Sequence, residues 1–310
     1  MEMTKKNYDL VIIGAGPAGM TAGMYGVRSG LETLVVEKGI SGGLSIEAPE
    51  IENYPGFKKV GGMELGEKMK EHVSEYVEIK ELEKVERIIL NDNGKRAEVF
   101  TEKGSYATKS VLLSTGTRHR KSGAKGEDAF LGRGVSYCAT CDGFFFKGKS
   151  VIVVGGGDSA VREALHLQKI GCGVTVIHRR DKLRAEPYLQ RKLEEAGVSV
   201  IWDSEVKAIK GDNMVRSVVT YNKKTEEEAE LTVNGVFMSI GEEPNNELAA
   251  QIGVASDKNG YIITDKSQRT NIERVYAAGD ITGGIRQVVV ACAEGATAAL
   301  SAYDDLQGIK

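Results

Sequence analysis

The sequence lacks the features of secreted, membrane-spanning and nucleic-acid-binding proteins. Its 310 residues include 41 Lys and Arg against 44 Asp and Glu, a formal net charge of −3. This balance provides no basic excess that would attract nucleic acid or an anionic membrane. No apolar run approaches the ~18 residues of a membrane-spanning helix, and the sequence begins without the apolar segment of a secretory signal. We therefore expect a cytoplasmic protein with neither a nucleic-acid partner nor a membrane partner.

Cysteine and proline are also scarce. The four cysteines are Cys138, Cys141, Cys172 and Cys292, too few for the disulfide framework of a secreted protein. Only 5 prolines accompany 38 glycines, so the glycines are not linker material and should lie inside folded segments. The length suffices for about two domains of ~100–200 residues each.

One pattern occurs twice in the chain. In each copy an apolar run leads into a glycine-rich turn, a helical stretch and a second apolar run. This order is typical of a strand, a turn, a helix and a second strand. The first turn contains Gly14, Gly16, Pro17, Ala18 and Gly19. The second turn, at the same spacing, contains Gly155, Gly157, Asp158, Ser159 and Ala160.

Such a unit binds the pyrophosphate of a dinucleotide. The first glycine permits the tight turn, the second lets backbone N–H groups approach the phosphates, and the third position must be small so that the helix packs on the strand. The N-terminus of the helix then favours an anion through its dipole and its N–H groups. Two complete copies therefore predict two dinucleotide sites.

The end of the second strand distinguishes the two sites. In the first copy this position is Glu37, which can accept hydrogen bonds from a ribose and would repel a 2′-phosphate. In the second copy the strand ends in His178, Arg179 and Arg180, and Arg184 follows one turn later. Guanidinium groups suit a 2′-phosphate. We expect an adenosine with a free ribose at the first site and NADP(H) at the second.

The order of these segments predicts an α/β fold with two Rossmann-like dinucleotide-binding domains, the second inserted into the first. The first domain would contain residues 1–117 and 246–310, and the inserted domain residues 118–245. Two further strand-like runs belong to the first domain, and each ends in a small-residue turn, at Thr115-Gly116 and at Gly279-Asp280.

Cys138 and Cys141 form a C-x-x-C pair. In a cytosolic protein this spacing indicates half of a zinc site, a redox-active dithiol or an inert structural pair. The chain has no second pair, and its four histidines show no ligand spacing, so we expect no metal. A redox dithiol agrees best with two nucleotide sites, and a flavin at the first site would connect nicotinamide to the dithiol because flavins accept hydride and reduce disulfides.

Over nearly its whole length the sequence resembles the low-molecular-weight thioredoxin reductases of bacteria and archaea. The matching motifs are GAGPAG at 14–19, Glu37, GG at 42–43, ENYPG at 52–56, STGT at 114–117, CATCDG at 138–143, GGGDSA at 155–160, HRRDKLRA at 178–185, AAGD at 277–280 and Arg286-Gln287. The resemblance implies a homodimeric flavoprotein that carries electrons from NADPH through FAD and an active-site disulfide to thioredoxin or a thioredoxin-like protein. It makes 1–117 and 246–310 the FAD domain, and 118–245 the NADPH domain that carries the dithiol.

The resemblance also implies roles for individual residues. Cys141 would be the sulfur near the flavin, Cys138 its partner, and Asp142 a general acid–base that needs a raised pKa; Asp142 could also cap a helix. The FAD site would contain Gly14, Gly16, Pro17, Ala18, Gly19, Glu37, Gly43, Asn53, Thr115, Gly116, Gly279, Asp280, Arg286 and Gln287. The NADPH site would contain Gly155, Gly157, Asp158, Ser159, Ala160, His178, Arg179, Arg180 and Arg184. The inserted domain would rotate about hinges near residues 117 and 245.

Two segments depart from the family pattern. Leu44-Ser45 follows Gly43 where the family commonly has glutamine, and the segment from Thr282 to Ile285 is shorter and less polar than in many members. Three other hypotheses remain: a different electron donor such as a reduced deazaflavin or ferredoxin, a flavin-dependent dithiol oxidase, and a non-catalytic redox-responsive binding module. The arginine cluster of the second unit argues against the first two.

Overall fold

The computed structural model describes residues 7–48, 51–91 and 95–309. The chain divides into two compact units. The first contains Met1–Glu47, Glu52–Arg118 and Glu243–Lys310, and the second contains Ala48–Ile51 and His119–Glu242. No helix of the described ranges is both long enough and apolar enough to cross a membrane.

The described residues form strands, α-helices and short 3₁₀ helices. The strands are β1 (Asn7–Ile13), β2 (Thr33–Val36), β3 (Glu78–Lys80), β4 (Val85–Asn91), β5 (Arg96–Thr101), β6 (Gly104–Leu113), β7 (Thr117–His119), β8 (Val135–Ser136), β9 (Ser150–Gly155), β10 (Gly173–Ile177), β11 (Ser199–Ile201), β12 (Ser204–Gly211), β13 (Val215–Asn222), β14 (Glu228–Thr232), β15 (Gly235–Ser239), β16 (Glu242–Pro244) and β17 (Val275–Ala277). The α-helices are α1 (Pro17–Arg28), α2 (Gly62–Ser74), α3 (Ala139–Asp142), α4 (Asp158–Lys169), α5 (Pro187–Glu195), α6 (Glu247–Gln251) and α7 (Val288–Gln307). Short 3₁₀ helices span Gly43–Glu47, Gly143–Phe146 and Asp280–Thr282.

Among the described residues of the first unit, seven strands form one sheet. Its order is β3-β2-β1-β6-β5-β4, and β17 pairs with β6 as a further parallel strand. β1 is parallel to both β2 and β6, whereas β4 and β5 pair antiparallel. Successive residues of β1 contribute to two separate apolar clusters, one on each face of the sheet. Burial on both faces explains why residues 10–13 of this strand form an unbroken apolar run.

Helices α1 and α7 cover one face of this sheet with little space between them. A Cβ at Gly295 of α7 would lie 2.1 Å from the carbonyl oxygen of Ala18 in α1. A Cβ at Gly26 would lie 2.8 Å from the Thr33 hydroxyl oxygen, against β2. Small residues therefore set the distances at which α1 packs against α7 and against β2.

In the described part of the second unit, five parallel strands form a sheet in the order β11-β10-β9-β15-β8. Helices α4 and α5 cover one face with Leu167, Leu189 and Leu193, all buried. An antiparallel sheet of β12, β13 and β14 covers the other face. Parallel strands followed by glycine-rich turns and helices occur in both units, so the predicted α/β fold with two Rossmann-like domains is confirmed.

Candidate active site

The glycine-rich turn of the first unit has no space for side chains at two positions. Gly14 has φ +107°, and a Cβ there would lie 2.3 Å from the Ser114 carbonyl oxygen. A Cβ at Gly19 would lie 1.8 Å from the carbonyl oxygen of Gly14. At Gly16, where α1 begins, the atom nearest to a Cβ is 3.8 Å away and belongs to Gly43. The turn thus leaves an open backbone surface in front of the helix N-terminus, as a pyrophosphate requires.

Glu37 is held beside this turn. It directly follows β2, and its carboxylate accepts the N–H groups of Ala15 at 2.7 Å and Gly39 at 2.8 Å. Both carboxylate oxygens are engaged, so the side chain has a fixed direction. The arrangement fits a carboxylate that also accepts hydrogen bonds from a ribose.

The other predicted flavin segments emerge at the same edge of the sheet. β17 ends with Ala277 opposite Leu113 of β6, which brings the turns after these strands together. The Ser114 hydroxyl donates to the Gly14 carbonyl oxygen at 2.9 Å and joins the β6 turn to the glycine-rich turn. Asp280 begins the 3₁₀ helix after β17, and the Thr115 hydroxyl donates to the Asn245 carbonyl oxygen at 2.7 Å.

The segments that contain Asn53 and Gln287, both predicted for the FAD site, are joined by a hydrogen bond. The Asn53 amide donates to the Gln287 side chain at 2.9 Å, across 234 residues of sequence. Arg286 lies next to Gln287, and its guanidinium donates to the Tyr261 hydroxyl at 3.4 Å. In the segment where the family commonly has glutamine, the Ser45 hydroxyl donates to the Gly42 carbonyl oxygen at 2.6 Å and closes the turn.

Glu294 was missed by the sequence analysis. From α7 its carboxylate accepts the Gly279 N–H at 2.7 Å and the Thr282 hydroxyl at 3.2 Å, and therefore holds the turn that carries Asp280. Burial raises the pKa of this carboxyl above its usual range. An acidic residue within the otherwise uncharged run from Val288 to Ser301 was the signal that could have revealed it.

Replacing Glu294 with alanine should weaken flavin retention about tenfold. The Gly279 N–H and the Thr282 hydroxyl would lose a shared acceptor, and a lost hydrogen bond to a charged group costs about 1.5–3 kcal/mol. The flavin content after dialysis against potassium bromide checks this, with Ala293→Gly, at an exposed position of the same helix, as the control. Equal retention by Glu294→Ala and the parent would contradict it.

In the second unit the glycine-rich turn has the same character. A Cβ at Gly155 would lie 2.3 Å from the Ser239 carbonyl oxygen, whereas a Cβ at Gly157 would meet nothing within 4 Å. Helix α4 begins at Asp158, whose carboxylate accepts the Glu186 N–H at 2.8 Å. This turn therefore also presents an open surface at a helix N-terminus.

The structure separates His178 from the arginines beside it. His178 is buried, and its Nδ1 lies 2.9 Å from the Gly155 carbonyl oxygen. Burial lowers the pKa of this imidazole below its usual value. Gly156, which the sequence analysis did not select, passes so close that a Cβ would lie 2.2 Å from the ring. His178 thus packs against the glycine-rich turn of the second unit, whereas Arg179 and Arg180 are exposed.

Arg184 belongs to the same surface. It is exposed, and its backbone N–H donates to the Gly156 carbonyl oxygen at 2.7 Å. The loop after β10 is therefore tied to the glycine-rich turn. Three guanidinium groups, of Arg179, Arg180 and Arg184, come from one short loop at the carboxyl edge of the sheet.

Cys138 and Cys141 form a disulfide in the second unit. Cys138 precedes the one-turn helix α3, and its sulfur accepts the Cys141 N–H at 3.2 Å. The Thr140 hydroxyl lies 3.3 Å from the same sulfur. Both cysteines are half-buried. A thiol–disulfide partner can therefore reach them, and the two donors would stabilise a thiolate at Cys138.

Asp142 follows Cys141 directly and is 7% exposed. Burial raises the pKa of its carboxyl to about 6, although a hydrogen bond with Ser136 acts in the opposite direction. Its Oδ1 has no hydrogen-bond partner within the described ranges. The alternative role as a helix cap is not found, since its side chain caps no N–H of the following 3₁₀ helix. A carboxyl that titrates near neutral pH can give a proton to a thiolate and take it back.

Comparison with known proteins identifies the family of the chain. The model of the pyridine nucleotide-disulphide oxidoreductase family matches residues 8–295. The thioredoxin reductase of Listeria innocua is 41% identical over 320 residues, covering 100% of this chain and 97% of that protein. The solved thioredoxin reductase of Streptococcus pyogenes has a TM-score of 0.90 at 40% identity, over 98% of this chain and 100% of that one. The solved thioredoxin reductase of Lactococcus lactis has a TM-score of 0.68 at 44% identity, over 97% of this chain and 99% of that one. The chain therefore belongs to the pyridine nucleotide-disulphide oxidoreductases and, within that family, to the low-molecular-weight thioredoxin reductases.

Proposed function

We propose that the protein is an FAD-dependent enzyme that uses NADPH to reduce thioredoxin, or a thioredoxin-like protein, through Cys138 and Cys141. The observation that carries this proposal is the disulfide of the second unit, in the same unit as an open glycine-rich turn flanked by three arginines. A site suited to a 2′-phosphate would bind NADPH as the electron donor, and the dithiol would pass its electrons to a disulfide substrate.

We assign FAD to residues 1–117 and 246–310, and NADPH to residues 118–245. The side-chain-free surface at Gly16 and the anchored carboxylate of Glu37 fit the pyrophosphate and the ribose of FAD. When bound, FAD would accept a hydride from the nicotinamide and provide the two electrons that reduce the disulfide. Asp280, Asn53 and the Arg286-Gln287 pair would hold the rest of the cofactor.

The cysteines carry the exchange with the protein substrate. Reduction of their disulfide takes two electrons and two protons and leaves two thiols. A thiolate of the pair then attacks the disulfide of the partner, and the second thiol resolves the mixed disulfide. The partner leaves with two thiols, and the disulfide of Cys138 and Cys141 forms again. Asp142 supplies and removes the protons of these steps.

A protein acceptor is supported by two exposed phenylalanines next to the dithiol. Phe144 and Phe145 follow α3 and are 63% and 39% exposed. Aromatic side chains are enriched in the surfaces by which proteins bind one another. A small disulfide would not need them.

We also propose that the protein acts as a homodimer. The first unit exposes large apolar side chains on α1, α2 and α7, namely Tyr25, Met63 and Leu300, which a second copy could cover. Light scattering in solution tests this. Twice the 33.4 kDa of one chain is the expected mass, and a mass of one chain would contradict the dimer.

Replacing Arg179 and Arg180 together with alanine should raise the KM for NADPH roughly 10- to 100-fold and that for NADH little. The guanidinium groups are exposed, so their charge-assisted contacts to a 2′-phosphate are at the lower end of the range for such bonds. Steady-state kinetics with both nucleotides measures the ratio. Arg216→Ala, at an exposed position of β13, is the control. Equal effects on both nucleotides would remove the argument for a 2′-phosphate.

The proposed function is tested by turnover with different electron donors. NADPH oxidation should require oxidised thioredoxin. Thioredoxin reduction should be faster with NADPH as the donor than with reduced ferredoxin or a reduced deazaflavin. Turnover only with one of the other donors would replace NADPH, and oxygen consumption driven by dithiols would indicate an oxidase. No turnover with any disulfide protein would favour a binding module.

A further inference from the structure

Trp202, the one tryptophan of the chain, lies at the edge of the second unit where the arginines lie. It directly follows β11, which pairs with β10 in parallel so that Ile201 lies opposite Ile177. The next pair in this register is Trp202 and His178. The tryptophan therefore ends its strand beside the residue that ends β10.

The backbone fixes Trp202 in this place. On one side the His178 N–H donates to the Ile201 carbonyl oxygen at 2.9 Å, and on the other the Asp203 N–H donates to the Arg180 carbonyl oxygen at 3.2 Å. The strand end that carries Trp202 is thus bonded to the loop that carries Arg179 and Arg180. Movement of one would displace the other.

The indole ring is partly open to solvent. Its edge-to-face contact with the His178 ring has a centroid distance of 6.4 Å and an interplanar angle of 81°. This contact covers little of the indole, and the side chain remains 38% exposed. An indole at this position has an aromatic surface available to a ligand.

The charges around the ring do not oppose an anionic ligand. Asp203 pairs with Lys224 at 3.0 Å, and Glu205 pairs with Lys223 at 2.5 Å. The two carboxylates nearest in sequence are therefore balanced by lysines. The exposed guanidinium of Arg180 adds positive charge.

We propose that Trp202 is the surface on which the adenine ring of the nicotinamide dinucleotide stacks. The inference rests on the proposed NADPH site and adds to it the residue that recognises the base. Aromatic side chains bind bases by stacking, whichever base it is. The arginines distinguish the 2′-phosphate, whereas Trp202 acts on the adenine that NADPH and NADH share.

The two roles predict different effects of substitution. Trp202→Ala should weaken the binding of NADP⁺ and of NAD⁺ by the same factor, roughly 5- to 150-fold, the range for stacking of one base. Trp202→Phe keeps an aromatic ring and should retain most of the affinity. Replacing Arg179 and Arg180 with alanine should weaken the binding of NADP⁺ and leave that of NAD⁺ nearly unchanged. Met214→Ala, an exposed apolar position at the far end of the β12–β13 hairpin, should change neither.

Dissociation constants measured by calorimetry test this without turnover. Titration with 2′,5′-ADP adds a direct signal from the single tryptophan, because this ligand absorbs at shorter wavelengths than tryptophan emits. Stacking should change the tryptophan emission of the parent, and Trp202→Phe, which has no tryptophan, gives the background from the tyrosines and the ligand. Binding of both nucleotides by Trp202→Ala within twofold of the parent would overturn the inference and leave the NADPH site intact. If the parent binds neither NADP⁺ nor 2′,5′-ADP, the proposed NADPH site is wrong and the inference falls with it.

Discussion

Replacing Cys141 with serine should lower thioredoxin reduction at least about a thousandfold while the flavin stays bound and reducible by NADPH. Loss of an essential nucleophile removes nearly all turnover, and a serine cannot form the disulfide with Cys138. The glycine-rich turns of both units do not include this residue. Turnover and anaerobic reduction are therefore expected to separate in one variant.

The separation is measured by two assays on the same preparation. The parent should accept two more electrons per chain than Cys141→Ser, because a disulfide is a two-electron couple. Cys172→Ser is the matched control. This buried thiol forms no disulfide and donates to the Phe146 carbonyl oxygen at 3.1 Å, which a serine hydroxyl can also do. Full thioredoxin reduction by Cys141→Ser would exclude the dithiol as the route of the electrons.

Replacing Asp142 with asparagine should slow dithiol turnover about 10²- to 10⁴-fold, the usual contribution of a positioned acid. The pKa of the Asp142 carboxyl, raised by burial to about 6, keeps part of it protonated near neutral pH. In the proposed role, the protonated form would give its proton to a thiolate as the disulfide opens. In the parent this step should therefore slow as the pH rises through about 6.

Rapid-mixing kinetics across this pH range checks the prediction. The transition near pH 6 should be absent from Asp142→Asn, because an amide does not titrate. Asp212→Asn, at an exposed position of the same unit, should keep both the rate and the transition. A transition that persists in Asp142→Asn would assign it to another group.

The same substitution should change stability in a direction fixed by the pKa. The carboxyl of Asp142 binds its proton more tightly in the folded protein than the usual value of 3.8. The parent therefore loses stability as the pH rises from about 4 to about 6, and the loss remains complete above that range. Asp142→Asn should be more stable than the parent at pH 7 to 8 by about 3 kcal/mol, and by less near pH 4. Urea denaturation at both pH values measures this difference.

Much of the fold follows from local rules that a sequence displays. The requirement for glycine at position 14 is a positive φ, and the requirement at position 19 is the contact between α1 and the turn. Both requirements act within a few residues, so spacing alone predicts them. The apolar runs of β1 and β9 likewise predict parallel strands covered on both faces.

Other features depend on packing between distant segments. His178 lies at the strand end that the repeat indicates, but its burial beneath Gly156 depends on how the turn folds over it. Glu294 holds a turn 15 residues earlier in the chain, and a single acidic residue has no periodicity to reveal it. The pKa of Asp142 depends on burial, which no spacing gives.

Anaerobic titration of the FAD-loaded protein with NADPH, and separately with NADH, tests the central claim most directly. The claim is that the second unit selects NADPH through its arginines and that electrons from this nucleotide reach a flavin in the first unit. Two equivalents of NADPH per chain, enough for both the flavin and the Cys138–Cys141 disulfide, should bleach the visible absorption of the flavin, and the same amount of NADH should leave most of it. No bleaching by NADPH in protein that contains FAD would contradict the account and transfer the role of donor to a deazaflavin or ferredoxin.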